Sequence, residues 1–410
     1  MLQRRLRVAV LSRNFNPTGG GAERYSIALV EHLAARHDIH VFAQTVHHSH
    51  TGVTYHRVSA PMRRPRWINQ LWFAYATWRA TRQGFDVVHS HENTWHGQVQ
   101  TVHVLPIRYN LFVGRDGWRR ALRWLKVATS PRLLAYLWLE HRRYAPQPGR
   151  SIVATSNTLR DVVAATHPHT LPMLKVITPG VASAPGAATA SEKLAARVAL
   201  GLPTDAALVL FVANDFRKKG LDALLIACGQ VVKGEQVAMP HTSRDSAKSA
   251  AWKLRPLNLA VVGNAAHAQE FRSQIKRLGL DSKVHYLGQK EDVSQAYLAA
   301  DVLAHPTLED TFGMVVLEAM AHGLPVVVSA GRYCGIAELL THDVNALILP
   351  DPTDATALAR ELGSVLTDNK LQTRLGTAAT KFASQYKWSN LSIEQEAMYL
   401  KSIQSHEKTS

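Results

Sequence analysis

The stretch LEDTFGMVVLEAMAHGLPVVVS, residues 308–329, sets three carboxylates, Glu309, Asp310 and Glu318, in apolar surroundings. Its pattern predicts a loop, a helix over 312–322 and a buried strand over 324–330. Gly313 stands near the helix start, and Gly323 at its end ahead of Pro325. First-turn amides lack partners inside a helix, and the helix dipole makes that end attractive to an anion. A phosphate there would meet the backbone of Phe312, Gly313 and Met314, with glycine permitting close approach. Glu318 follows about one and a half turns along the axis, where a carboxylate can accept from paired sugar hydroxyls. The plainer alternative is a capped helix with one polar position facing solvent. Met314, Val315, Val316 and Leu317 crowd Glu318 with apolar neighbours and favour a purposeful acid.

Two further stretches point to phosphate. In FVANDFRKKGLD (211–222) a strand ends and three cations, Arg217, Lys218 and Lys219, precede Gly220 and a helix. Cations at a strand's carboxyl end, beside a helix N-terminus, can clamp a diphosphate. A solvated basic turn is the bland alternative. In NPTGGGAERY (16–25) three glycines separate the first strand from the first helix and could admit a ligand close to the backbone. The loop is not GxGxxG and lacks the Lys-Ser/Thr of a P-loop, so it supports neither a nicotinamide or flavin site nor a P-loop.

These stretches need a scaffold. A length of 410 residues suggests two domains, and 46% hydrophobic with 19% charged residues is a globular composition. Apolar strands are expected at 7–12, 39–44, 86–90, 99–104 and 151–156, with 175–181 closing the first half. A helix spans 22–36. The second half repeats the alternation, with strands at 207–215, 257–264, 283–288, 301–307 and 324–330. Its helices fall at 220–232, 267–279, 292–299, 312–322 and 355–367. Such alternation predicts α/β domains with parallel sheets buried on both faces. The expected division is a first domain over 1–181, a second over 182–385, and a C-terminal helix over 386–410. Residues 182–193 read as a linker, 234–256 as a polar surface insertion, and 381–403 as one last helix.

The net charge of +16 is one-sided: residues 1–180 carry 24 Lys and Arg against 8 Asp and Glu, and the remainder is balanced. That predicts an anionic partner for the first half. The excess is interleaved with Trp67, Trp72, Trp78, Trp118 and Trp124. Trp118, Leu122, Trp124 and Leu125 recur at helical spacing with Arg119, Arg120, Arg123 and Lys126 between them, as in a helix lying on an anionic membrane. A core helix with a basic solvent face is the competing reading. No recognition motif supports nucleic acid. Two cysteines, Cys228 and Cys334, cannot build a disulfide framework and fit a reducing compartment. The apolar run near residue 8 is too short for a signal-peptide core, and no run of about 18 apolar residues suits a membrane span.

Taken in order, the motifs resemble glycosyltransferase family 4, of the two-domain GT-B fold. The resemblance runs through GGAERYS, TSNTLRDVV, VITPGV, RKKG, VHYLG, EAMAHGLPVVVS and GIAELLTHDVNALIL, nearly the whole chain. It implies two doubly wound Rossmann-like domains facing across a cleft, an acceptor-binding one over 1–181 and a nucleotide-sugar-binding one over 182–385, with the helix over 386–410 returning to the first. The implied activity is retaining transfer of a sugar from a nucleotide-diphosphate donor. The family motif is Glu-x7-Glu. Here the acids eight apart are Asp310 and Glu318, so Asp310 replaces the first Glu and Glu309 is out of register. The resemblance places Glu318 on the ribose hydroxyls and Asp310 by the donor sugar. Phe312, Gly313, Met314 and Val315 fall at the diphosphate and sugar. Lys219 matches the diphosphate lysine. Many members carry an Arg five residues earlier; this chain has Asn214, so Arg217 or Lys218 supplies the second charge. Gly20 and Gly21 would close over the phosphates.

His103, after VQTV, matches an acceptor-side histidine that orients hydroxyls, while His89 and His91 are read as finishing their strand. The implied catalytic set is His103, Asp310 and Lys219. TVHHSH (45–50) has no third cluster and there is no Asp-x-Asp, so neither a metal nor another cofactor is expected. The nearest subgroup is the lipopolysaccharide core glucosyltransferase I group, which implies UDP-glucose and a core heptose on a glycolipid. The implied place is the cytoplasmic face of the anionic inner membrane. Alternatives are an envelope transferase using UDP-GlcNAc, UDP-Gal or GDP-mannose, or a weakly catalytic nucleotide-sugar or anionic-lipid binding protein.

Overall fold

A computed structural model of the chain describes residues 4–62, 64–234, 255–264 and 269–407. Most of the insertion expected at 234–256 and the start of the helix expected at 267–279 therefore lie outside the described residues. The chain forms two compact units, residues 1–180 with 388–410, and residues 181–387.

The first unit opens with β1 (Arg7–Leu11), β2 (Asn14–Phe15), α1 (Gly21–Ala34), β3 (Asp38–Ala43), β4 (Thr45–Val46) and β5 (Val53–Arg57). Next come α2 (Arg66–Thr81), β6 (Val87–Ser90), β7 (Val99–Val102), α3 (Ile107–Phe112), α4 (Gly117–Ala128) and α5 (Pro131–Tyr144). It closes with β8 (Ser151–Ala154), α6 (Asn157–Thr166) and β9 (Leu174–Val176). Seven strands pair in parallel in the order β5-β3-β1-β6-β7-β8-β9. Strands β6, β7 and β8 are buried at every position, which is why they read as continuous apolar runs rather than alternating ones. Strand β5 was not expected: its residues Val-Thr-Tyr-His-Arg are half exposed at the sheet edge.

The second unit comprises α7 (Ala190–Ala199), β10 (Ala207–Val212), α8 (Leu221–Lys233), β11 (Leu257–Val262), α9 (Arg272–Leu278), β12 (Val284–Gly288) and α10 (Ser294–Ala299). It continues with β13 (Val302–His305), α11 (Met314–Ala321), β14 (Val326–Ser329), β15 (Leu347–Leu349), α12 (Ala355–Thr367) and α13 (Asn369–Ala383). Its six-stranded parallel sheet has the order β12-β11-β10-β13-β14-β15. The period of two is visible in β10. Leu208, Leu210 and Val212 enter one apolar cluster, and Ala207, Val209 and Phe211 enter the other, so both faces are covered.

The structure corrects two expectations. The segment read as a linker to Lys193 is already helical from Ala190. Thr189 Oγ1 accepts from Glu192 N at 3.3 Å, and the Glu192 carboxylate accepts from Thr189 N at 2.8 Å, a capping box that starts α7. The single last helix is in fact two, α13 and α14 (Trp388–Glu407). Between them Val181 N donates to Tyr386 O at 2.8 Å and Lys387 bridges Val181, which pins an extended break. Helix α14 belongs to the first unit. There it packs on α1, β6 and β7, with Glu396 paired to Arg36 at 2.9 Å.

Candidate active site

Each sheet grows outward from a central strand and then continues on its other side. In open α/β sheets the crevice beyond the carboxyl ends at that reversal binds ligands. In the second unit the reversal lies between β10 and β13, which pair directly. The loop after β10 carries Arg217, Lys218 and Lys219; the loop after β13 carries Glu309 and Asp310. Lys219 Nζ lies 2.7 Å from Asp310 Oδ2 and donates to Glu309 O at 2.8 Å. The loops can approach because residue 220 is glycine. Its φ is +82°, and a Cβ there would fall 1.9 Å from Pro306 O.

Asp310 is held from three sides. Besides Lys219, Phe312 N donates to Oδ1 at 3.3 Å, and His305 Nε2 lies 3.0 Å from Oδ2. Burial alone would raise the Asp310 carboxyl; the Lys219 ammonium, aided by His305, overrides this and holds it well below the usual range. Burial also pushes the His305 imidazole down, against the pull of Asp310. A neutral ring beside an ionised carboxylate must donate through Nε2. His305 was not singled out from sequence; the only signal was its place at the end of a strand five residues before Asp310.

Gly313 precedes α11 with φ +96°, and a Cβ there would meet Cys334 Sγ at 2.7 Å. Met314, Val315 and Glu318 share the less buried face of α11, while Val316, Leu317, Ala319 and Met320 are core. Glu318 is half-buried and accepts from Tyr297 OH at 2.8 Å through Oε2, so it does not simply face solvent. Phe312 requires a correction. Its amide serves Asp310 and its carbonyl accepts from Ile336 N at 2.7 Å, so its backbone is engaged inside the protein. Gly313, Met314 and Val315 form the N-terminal end of α11. Of the three cations, only Lys219 joins Asp310. Arg217 pairs with Glu270 at 2.9 Å, and Lys218 lies 3.4 Å from Glu309.

In the first unit the reversal lies between β1 and β6. There Arg13 N donates to Glu92 Oε1 at 3.0 Å, and burial pushes the Glu92 carboxyl up against the opposing pull of Arg13. Sequence reasoning passed over both residues. His103 Nε2 lies 2.9 Å from His91 Nδ1, and the rings stack at 5.2 Å. Burial, with His91 and Arg143 adding to it, pushes His103 well below the usual histidine range, so its ring is neutral. His89 sits between Tyr399 OH and Thr101 Oγ1, each at 2.7 Å, a satisfied core histidine. Gly20 N donates to Glu23 Oε2 at 2.9 Å and Gly20 O accepts from Arg24 N; Gly21 opens α1. The Gly20 backbone therefore caps α1, against the expectation that it serves phosphate. In TVHHSH, His48 bonds Glu31 and Tyr55, each at 2.9 Å.

Helix α4 settles one alternative. Trp118, Leu122, Trp124 and Leu125 are 69, 55, 51 and 62% exposed, and Val127 alone of the helix is buried. This is not a core helix. Arg119 lies 5.6 Å from the Trp118 ring, and Trp124 stacks on Phe112 at 4.6 Å. By helical spacing Arg119 and Lys126 lie beside the stripe of Trp118, Leu122 and Leu125, and Arg120 and Arg123 on the far side of the helix.

Two family models match the chain, one described as Glycosyltransferase Family 4 over residues 19–184 and one as Glycosyl transferases group 1 over residues 192–382. A D-inositol 3-phosphate glycosyltransferase of Corynebacterium kroppenstedtii is 32% identical over 210 residues, 50% of this chain and 42% of that protein. The lipopolysaccharide glucosyltransferase WaaG of Escherichia coli is 28% identical over 183 residues, 45% of this chain and 43% of that protein. The chain spans about half the length of the curated relatives it matches. A crystal structure of WaaG, described as involved in lipopolysaccharide biosynthesis, superposes with a TM-score of 0.74 at 20% identity, covering 95% of this chain and 98% of that one. Anabaena Alr3699/HepE in complex with UDP and glucose gives 0.71 at 19% identity, covering 96% and 99%. At these identities the likeness concerns the fold. The two matched models fall one on each compact unit, and the chain belongs to the GT-B glycosyltransferases, related to family 4 and to the lipopolysaccharide glucosyltransferase WaaG.

Proposed function

We propose that the chain is a retaining glycosyltransferase that moves a hexose, with glucose favoured, from a UDP-sugar to a glycolipid acceptor at a membrane surface. The favoured acceptor is a lipopolysaccharide core heptose. The observation that carries the reading is the meeting of Lys219, Asp310 and the N-terminal end of α11 at the second sheet's reversal, with Glu318 on the same face of α11. Lys219 meets the diphosphate, and the amides of Gly313, Met314 and Val315 add donors that need no rearrangement as charge builds on the leaving group. Lys218 is the nearer second cation. Tyr297 holds Oε2 of Glu318, and the carboxylate accepts from the ribose. Asp310 accepts from a donor-sugar hydroxyl. Departure and attack on one face retain configuration without a protein nucleophile. His103, being neutral, orients a hydroxyl by hydrogen bonding and does not deliver a proton from an imidazolium. No step is assigned to a metal.

The exposed apolar and basic surface of α4 supports a place on an anionic membrane, whose surface attracts each nearby Lys or Arg by about 1 kcal/mol. Among the described residues no helix is long and apolar enough to cross a membrane. A second reading keeps the donor and exchanges the acceptor for a phosphorylated polyol. It is supported by the D-inositol 3-phosphate relatives and by the basic first unit. The test is transfer of labelled sugar from UDP-glucose, UDP-GlcNAc, UDP-Gal and GDP-mannose to heptose-terminated core lipid and to inositol phosphate. Turnover with a UDP-hexose and the lipid is expected. Turnover only onto inositol phosphate would favour the second reading. UDP binding with no turnover from any donor would overturn the enzyme reading.

A further inference from the structure

We propose that His305 is a positioning residue of the donor site: it holds the Asp310 carboxylate in place while the donor diphosphate draws Lys219 away. This rests on the donor reading above. Asp310 is a methylene shorter than glutamate, so it has less freedom to find a sugar hydroxyl by moving, and its starting position matters more. In the structure Oδ2 takes two donors, Lys219 at 2.7 Å and His305 at 3.0 Å, and Oδ1 takes Phe312 N. A diphosphate competes directly for the Lys219 ammonium. Once Lys219 turns to it, Asp310 loses its counter-charge and is repelled by the phosphates. The two groups that remain, His305 Nε2 and Phe312 N, then set its orientation.

His305 is built for that one contact. It ends β13 and is 1% exposed, so water does not compete for its ring nitrogens. Its Nδ1 is buried and has no hydrogen-bond partner among the described residues. Leaving a buried acceptor unpaired is unfavourable, and leucine at this position would avoid it. Among the described residues the ring's hydrogen bond is to Asp310 alone. The same geometry fixes the tautomer, because an ionised carboxylate only accepts and Nε2 must carry the proton.

The experiment compares the full-length parent with His305→Leu and His305→Gln, whose side-chain amide can reach where Nε2 donates. UDP and UDP-glucose affinities are measured by calorimetry and UDP-glucose hydrolysis by UDP release, with thermal unfolding to verify that each variant is folded. In His305→Leu the ratio of UDP-glucose to UDP affinity should fall about tenfold, hydrolysis should fall in kcat, and UDP affinity should stay within about twofold. His305→Gln should recover most of the loss. An unchanged ratio in folded His305→Leu, or a Gln variant no better than Leu, overturns the proposal. A merely structural role would lower UDP and UDP-glucose binding together. A parent that binds no uridine nucleotide would count against the donor reading, and imidazole 15N shifts of His305 then decide the positioning claim. A neutral Nε2–H tautomer that is lost in Asp310→Asn supports it, and an Nδ1–H tautomer in the parent overturns it.

Discussion

Asp310→Asn keeps the size of the side chain and removes its charge. In the structure Lys219 would lose its carboxylate counter-charge, 2.7 Å away, and keep neutral acceptors such as Glu309 O, at 2.8 Å. Breaking a fully buried ion pair costs about 3–5 kcal/mol. Here the partners are 21 and 19% exposed, and solvent screening reduces the loss to roughly 1–2 kcal/mol. The pH dependence follows from the direction of the shift. The folded Asp310 carboxyl lies below its ordinary value of 3.8, so its contribution is fully present above that value and disappears as pH falls through the folded value. Urea unfolding of parent and variant should therefore differ at pH 7 by that amount, and the difference should shrink below about pH 4. A difference that stays constant into acid would refute the ion pair. The same variant separates nucleotide from sugar. With the competing carboxylate neutralised, UDP should bind as well as to the parent or up to about tenfold tighter, while sugar transfer falls about 100-fold. Loss of UDP binding in step with loss of transfer would contradict the assignment of Asp310 to the sugar.

Other positions give independent tests. Glu318→Ala should weaken UDP about 10- to 100-fold by calorimetry through loss of the ribose contact, whereas His103→Ala should leave UDP affinity within about twofold and lower transfer. Gly220→Ala forces a Cβ into Pro306 O at a positive φ; it should lose more than about 3 kcal/mol in denaturant unfolding or fail to accumulate as soluble protein. Replacing Trp118, Arg119, Arg120 and Trp124 together with Ser should abolish flotation with anionic vesicles and leave UDP binding intact; unchanged flotation would refute that surface.

The parallel strands were legible because burial on both faces makes them uniformly apolar, and β10 shows the two-sided packing directly. Helix α4 was legible from its alternation of Trp and Arg, although only the structure shows that the apolar side is uncovered. Helix α13 was not, because three of its five buried residues are Gly376, Ala379 and Ala383, which carry little periodic signal. The break before α14 depends on Val181, some two hundred residues away in sequence, and no local pattern announces it. In the site, Glu318 and the run Arg217–Lys219 were legible from their places on the helix and loop, and Asp310 and Lys219 were singled out by the family resemblance. Tyr297 beside Glu318, His305 beside Asp310 and Glu270 beside Arg217 were not, because which side chains meet is decided by the folded unit and not by a local pattern. Phe312 and Gly20 look like ligand-facing backbone in sequence, yet internal hydrogen bonds occupy them.

The central claim is that the second unit binds a nucleoside diphosphate through Lys219. A calorimetric titration of UDP into the parent and into Lys219→Met tests it most directly. A charge-assisted bond to phosphate contributes roughly 2–3 kcal/mol, so the parent should bind UDP saturably and Lys219→Met about 30- to 150-fold more weakly. No binding by the folded parent, or the same affinity in Lys219→Met, would contradict it.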